Sequence, residues 1–381
     1  FFSSTRCTLM PPVVLDAVAN AMLYFDSTVV ERLGVDSLVM DFLRYFVPVS
    51  LVNYCLVVII KFLAFVITCF PFLRHASVSP EMTAIIWLFA SAGRVSKPTL
   101  TRTRNALNKL DWMYPPLKDV KMEAVPAVGR PKGYFLHITS EPGAGVILWF
   151  YGGAFIGGDA PGCAGLLGRI GQAAKCNVYM TAHRRTPEHT LEEIFQDVLE
   201  AYIYLCNTTN PGRIIIGGIS SGSMLAALLL SELPKRSLPM PAGAFLLSAF
   251  LDLTASTNSM QDSKDPFISK PAIDFVASFG DRMIPDGRRD HWSPLLRSVQ
   301  GFPPLFLAYS DTESCGDENA LYAAKARQEG VAVEEIVIKD SFHAFPLFYG
   351  YCPESHWVYC KLVTFIERLF QQSCATKAVT R

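Results

Sequence analysis

Beyond about residue 115 the chain keeps one rhythm, a short β-branched or aromatic run followed by a stretch with helical spacing. The runs are GYFLHI from Gly133, VILWFYGG from Val146, NVYMTA from Asn177, RIIIGG from Arg213, AGAFLLS from Ala242, PLFLAYS from Pro304 and VAVEEIVI from Val331. Between most of them lie candidate helices at Ala164–Ala174, Leu191–Cys206, Ser221–Leu233 and Asn319–Gln328, with a last one at Trp357–Gln371. Strands that are apolar along their whole length and separated by helices are strands buried on both faces and joined by crossovers. The pattern therefore predicts an α/β fold with a mostly parallel central sheet and helices on both sides.

Composition narrows the function. The 381 residues carry 34 Lys and Arg against 34 Asp and Glu, a formal net charge of zero. A nucleic-acid binder needs a basic field to displace counterions from phosphates, so that class is excluded. Ten cysteines are scattered without a CxxC pair, and the seven histidines form no HExxH. No metal centre and no cofactor is expected, and no disulfide framework in a chain this long. The first residue is Phe rather than Met, which fits a fragment or a processed product.

The mean hydropathy of +0.26 points to a segment that meets lipid. VSLVNYCLVVIIKFLAFVITCF, between Pro48 and Pro71, has about the length of a bilayer crossing, with Lys61 near its middle. It reads first as a membrane span or re-entrant hairpin, then as a helix lying in the interface plane, then as a helix buried in protein. The expected organisation is an apolar extension over residues 1–78, with the membrane segment at about 48–71, and one α/β domain over 79–381. Basic residues after the segment (Arg74, Arg94, Lys97, Arg102, Arg104) outnumber those before it too slightly to fix an orientation.

The sharpest chemical signal is RIIIGGISSGSMLAALLL, where Gly218-Ile219-Ser220-Ser221-Gly222 joins a buried strand to a helix. Glycines on both sides of a serine permit a strand-to-helix turn tight enough to lift its hydroxyl above the sheet. Ser220 is then a nucleophile, and the Ser221 amide faces the reacting carbonyl at a helix N-terminus. A second cluster, Tyr151-Gly152-Gly153-Ala154-Phe155, also ends a strand, and the amides of Gly153 and Ala154 can complete an oxyanion hole. A serine nucleophile needs a base and an acid that orients it. His343, in the loop after the last strand, is the candidate base. SDTESCGDEN offers Asp311, Glu313 and Asp317 as acids, Asp317 doubling as a helix cap.

From about Tyr134 to Leu369 these blocks resemble, in order, the hormone-sensitive-lipase-like branch of the α/β-hydrolase superfamily, carboxylesterases and arylacetamide-deacetylase-like proteins included. YGGAFIGG resembles its His-Gly-Gly-Gly block, HRRTPEHTLEEIFQDVLEAY its YRLAPEH…D block and GISSGSMLA its GDSAGG block. SAFLDL and the later SPLL resemble the segments bracketing the cap insert, and FHAF the His-Gly-Phe block. The resemblance implies an α/β-hydrolase fold with a helical cap from about 79–108 and 254–290. It implies Ser220 as nucleophile, His343 as base and Gly153, Ala154 and Ser221 as oxyanion donors. By the spacing usual in the family it implies Glu313 as acid, with Asp311 the alternative. Pro187, Glu188 and His189 match a block that is structural there.

The implied reaction is cleavage of carboxylic esters, or amides, of hydrophobic small molecules or lipids through an acyl-serine, without metal or cofactor. Membrane-anchored relatives make membrane association, with the endoplasmic reticulum as candidate organelle, part of the same expectation; oligomeric state is left open. Several positions depart from the family. Tyr151 stands for its His, Ala154 for its third Gly, Ile219 for the Asp before the serine, Ser223 for a second Gly and His183 for a Tyr. The departures at Tyr151 and Ile219 are the sole support for a rival reading, a receptor that binds a small apolar ligand in the same pocket without hydrolysis.

Overall fold

The computed structural model describes residues 49–379 apart from 75–76, 93–98, 109–112, 127–131 and 142–143. The first 48 residues of the expected extension lie outside the described residues, as do Arg94 and Lys97. Three helices come first: α1 (Val49–Cys69), α2 (Pro80–Ala92) and α3 (Leu100–Leu107). Strands and helices then alternate as β1 (Lys121–Val125), β2 (Gly133–His137), β3 (Val146–Phe150), α4 (Ala164–Ala173), β4 (Asn177–Thr181), α5 (Leu191–Thr208), β5 (Ile214–Ile219), α6 (Ser221–Glu232) and β6 (Gly243–Leu247). The insert after β6 carries three short helices, α7 (Asn258–Gln261), α8 (Lys270–Ala277) and α9 (Gly280–Met283). The chain continues through β7 (Leu305–Ser310), α10 (Gly316–Gln328), β8 (Val333–Ile338) and α11 (Pro353–Val379).

The eight strands form one sheet in the order β1-β2-β4-β3-β5-β6-β7-β8. β3 pairs parallel with β4 and β5, and the pairing stays parallel out to β8, whereas β2 runs antiparallel to both β1 and β4. The central strands are buried at every position because alternate side chains feed two separate cores. Ile147, Trp149, Ile215, Phe245 and Phe306 point to the layer of α4, α11, α1 and α2. Leu148, Phe150, Ile216, Leu246 and Leu307 point to α5, α6 and α10.

All seven expected strands are present. The strand the sequence did not announce, β1, is an edge strand exposed at four of its five positions, so it lacks the apolar run that marks the others. Helix α5 starts on a capping box, with Thr190 accepting from the Glu193 amide and Glu193 accepting from that of Thr190.

The apolar segment is helix α1. Ile60, Leu63, Ala64 and Ile67 are buried, the first two and Ile67 in the core that also holds Met82, Ile85 and Ile86 of α2. Among the described residues no helix is long and apolar enough to cross a membrane, so the expected span over 48–71 is not supported. The physical reason is that one side of the segment's hydrophobic surface is used against protein rather than lipid. Lys61, awkward for a span, pairs with Glu81 of α2 at 2.9 Å.

The close approach of α6 to the end of β3 fixes the centre of the fold. A Cβ on Gly222 would lie 2.1 Å from the Phe150 carbonyl oxygen and 2.6 Å from that of Tyr151, both of them backbone atoms that cannot turn aside. Gly222→Ala should therefore force the helix off the sheet. We expect a loss of about 1–3 kcal/mol or more in stability, read as a lowered thermal midpoint by circular dichroism.

Candidate active site

Ser220 occupies the turn between β5 and α6 with φ 55° and ψ −125°, a left-handed backbone that a non-glycine residue adopts only when its surroundings enforce it. The Ser220 amide donates to the Leu247 carbonyl at 2.9 Å, and its own carbonyl accepts from Ser223 at 3.0 Å. Ser223, a departure from the family pattern, is a staple: its hydroxyl donates to the Leu247 carbonyl at 3.2 Å and accepts from the Leu247 amide at 3.1 Å.

His343 follows β8, on the loop before a short 3₁₀ turn, Phe345–Phe348. Its Nε2 lies 2.8 Å from Ser220 Oγ. Its Nδ1 lies 3.7 Å from Glu313 Oε2, beyond hydrogen-bond distance and an ion pair only when the imidazole is protonated. His343 is 2% exposed and Glu313 0%, so water screens neither. Burial pulls the His343 imidazole down to about 3 and keeps it neutral, the form able to accept a proton. Burial pushes the Glu313 carboxyl well up, and the Asp265 charge nearby adds to that rise.

The structure separates the three candidate acids. Asp311 is exposed and its Oδ1 accepts from the Asp340 amide at 3.0 Å. Asp317 Oδ2 accepts from the Ser259 amide at 2.9 Å, tying α10 to the cap insert. Only Glu313 is paired with His343 among the described residues.

On the other side of Ser220 lies the loop after β3. Gly153, Ala154 and Phe155 all have positive φ, at 127°, 53° and 62°. The Phe155 amide donates to Ser221 Oγ at 3.3 Å, which fastens this loop to the start of α6. Among the described residues the amides of Gly153, Ala154 and Ser221 have no protein acceptor. Arg104 of α3 braces the loop from outside through Ile156 O at 2.7 Å, Thr186 O at 3.0 Å and the Glu188 carboxylate at 2.8 Å. Glu188 thus does the structural work expected of its block. Arg104, Ser221 Oγ and Asp265 are contributions that sequence reasoning missed, since most of their partners are backbone atoms that leave no motif.

Two departures from the family turn out to touch. The Tyr151 ring stacks on His183 with centroids 3.8 Å apart and planes 15° from parallel, and its hydroxyl donates to the His183 carbonyl at 2.7 Å. His183 is buried and held down to about 4, hence neutral. The two positions that the sequence reading singled out separately are thus in direct contact in this chain.

Over the site, aromatic rings from three segments meet. Phe267 of the cap insert lies nearly parallel to the His343 ring at 6.5 Å. Phe89 of α2 contacts Phe267 at 4.7 Å, Phe342 at 5.2 Å and Phe348 at 5.5 Å. Among the described residues no group of His, Cys, Asp and Glu could hold a metal ion.

Residues 147–347 match the alpha/beta hydrolase fold family, and the chain belongs to it. An esterase of Acinetobacter venetianus is 26% identical over 229 residues, 59% of this chain and 75% of that protein. An acetyl-hydrolase of Streptomyces hygroscopicus is 26% identical over 248 residues, 62% of this chain and 83% of the relative. A crystal structure of an esterase from the bacterial hormone-sensitive lipase family superposes with a TM-score of 0.68 at 25% identity, covering 77% of this chain and 99% of that one.

The Tyr151–His183 contact makes a quantitative prediction. Tyr151→Phe keeps the stack and loses one hydrogen bond, at a cost of about 0.5–1.5 kcal/mol in urea unfolding. Tyr151→His combined with His183→Tyr should be less destabilising than the sum of the single changes, with a coupling of about 0.5–3 kcal/mol.

Proposed function

We propose that the chain is a serine hydrolase that cleaves carboxylic esters of hydrophobic alcohols or acids through an acyl-serine intermediate. The observation that carries the proposal is the 2.8 Å contact between Ser220 Oγ and a neutral, buried His343, beside amides left without acceptors. Ser220 Oγ adds to the ester carbonyl carbon as Nε2 of His343 takes its proton. The carbonyl oxygen becomes an oxyanion facing the amides of Gly153, Ala154 and Ser221. Collapse breaks the bond to the alcohol, which leaves with the proton from His343. Water then repeats the sequence on the acyl-serine with His343 again as base. Glu313 orients the imidazole and favours its charged form, a strong effect where both groups are out of water. The relatives named esterase and acetyl-hydrolase support an ester as substrate. The aromatic rings of Phe267 and Phe89, packed beside the His343 loop, support a hydrophobic one.

We also propose that α1 rests on a lipid surface instead of crossing it. Tyr54, Val58, Phe62 and Phe65 recur at helical spacing on the side of α1 away from the protein, followed by Phe70 and Phe72, and all six are exposed. Leaving that much aromatic surface in water is unfavourable by roughly 25 cal/mol per Å². A row of rings beside an exposed lysine is what an interfacial helix presents to headgroups and acyl chains. It would also hold the site close to lipid-soluble esters.

Ser220→Ala should abolish hydrolysis of p-nitrophenyl butyrate and labelling by a fluorophosphonate; undiminished hydrolysis would remove Ser220 as nucleophile. Glu313→Gln should lower kcat by a factor on the order of 10⁴, and Asp311→Asn should leave it near the wild-type value. The interfacial placement is tested by flotation with phosphatidylcholine vesicles. Wild-type chain should float and Phe62→Glu with Phe65→Glu should not, both hydrolysing soluble ester alike; wild-type chain that stays at the bottom of the gradient overturns it.

A further inference from the structure

Asp265 lies in the cap insert, between α7 and α8, far in sequence from either loop of the site. It is 5% exposed, and every hydrogen bond it makes through its carboxylate goes to backbone amides. Oδ1 accepts from Phe267 at 2.9 Å and from Ile268 at 3.3 Å, closing a turn on its own segment. Oδ2 accepts from Ser314 at 3.1 Å and from His343 at 3.1 Å. Ser314 directly follows Glu313. One oxygen therefore bridges the backbones that carry the acid and the base, while the other sets the turn that presents Phe267 to the imidazole.

This arrangement is costly to build. A second carboxylate buried beside Glu313 raises the proton affinity of that acid, and removing the Asp265 charge from water adds a desolvation penalty. Only a carboxylate has acceptors on both of its ends. An asparagine offers one acceptor and one donor, and the donor would face an amide N–H on whichever side it lay. The acid and base loops are also linked without the cap, through Thr312 Oγ1 to the Ser341 carbonyl at 2.9 Å and the Ser341 amide to Ser310 Oγ at 3.0 Å. Asp265 adds the cap to that pair.

We propose that Asp265 is a positioning residue for the reaction: it seats the cap insert on the loops bearing Glu313 and His343, so that the cap wall at Phe267 and the acid–base pair are held as one unit. The proposal rests on the serine-hydrolase reading above. His343 Nδ1 and Glu313 Oε2 stand 3.7 Å apart, so the pair must close by less than an ångström to form a hydrogen bond, and a shift of that size in either loop decides whether it can.

The test compares Asp265→Asn with wild-type full-length chain, using p-nitrophenyl acetate, whose acyl group is too small to depend on the cap wall. Active sites are counted by fluorophosphonate titration to completion, so that rates are per competent molecule. We expect kcat per site to fall by about 10²-fold with KM for this ester changed by less than about threefold. Glu313 is faced by Asp265, Glu318, His343, Cys315 and Tyr309, and losing the Asp265 charge should also move the acid limb of kcat/KM to lower pH, because the remaining carboxylate ionises more easily. An unchanged kcat per site with an unchanged acid limb would reduce Asp265 to a folding role and overturn the proposal, whatever the thermal midpoint does. If Asp265→Asn yields no folded protein, Asp265→Glu replaces it, with reduced kcat per site at constant KM as the supporting result and wild-type kinetics as the opposing one. Ser220→Ala run alongside keeps the two readings apart: hydrolysis surviving there defeats the serine-hydrolase reading, whereas a dead Ser220→Ala with a normal Asp265→Asn defeats this one alone.

Discussion

The site depends on a contact between backbones that admits no side chain. At the start of α6, Gly222 lies against the carbonyl oxygens of Phe150 and Tyr151, and Gly218 on the preceding strand approaches the Gly222 carbonyl so closely that a Cβ there would sit 2.4 Å away. That crowding bends the chain between strand and helix and holds Ser220 at positive φ. The same crowding brings the end of β3 beside the helix N-terminus, so the loop carrying Gly153 and Ala154 falls next to the Ser221 amide. A hydroxyl lifted from the sheet and a group of donors aimed past it are two results of one packing constraint. Neither can be loosened without the other, which is why the strained turn is tolerated where it stands.

Burial sets the electrostatics on the opposite side of Ser220. A half-exposed imidazole would divide its time between charged and neutral forms near physiological pH. His343, at 2% exposure, is kept neutral by desolvation alone. The carboxylate of Glu313 is equally unfavourable in that setting until the imidazole gains a proton, when the two opposite charges offset each other's desolvation. In the proposed reaction, proton transfer from Ser220 would be the step at which the buried pair is best satisfied. A protein environment that penalises each charge singly and rewards the pair stabilises the transition state more than the ground state.

Most of the fold was legible because the central strands are buried on both faces, which writes a continuous apolar run into the sequence, and because GISSG sits where one such run meets a helical pattern. Strand β1 was not legible, as an exposed edge needs no apolar residues. Glu313 could not be separated from Asp311 by residue chemistry; family spacing favoured it, and burial against exposure is the physical difference between them. Tyr151 and His183 were visible as separate departures, but their contact, with ring centroids 3.8 Å apart, is a matter of folding that spacing in the sequence does not carry. The apolar segment before residue 70 shows the limit most plainly. Hydrophobicity and length read alike for a helix that meets lipid and one that meets protein, and α1 turns one face to the protein body.

Helix α2 and the insert after β6 both meet the loop that carries His343. Phe89 comes from a helix before the sheet and Phe267 from an insert after its sixth strand, yet both pack on Phe342, the residue preceding His343. A larger acyl group accommodated by moving either ring would press on the base loop itself. Dispersion contacts between close-packed rings transmit such displacements, since interiors of this density have no slack to absorb them. The Tyr151–His183 stack is a separate contact, with Tyr151 directly before the glycines of the loop after β3.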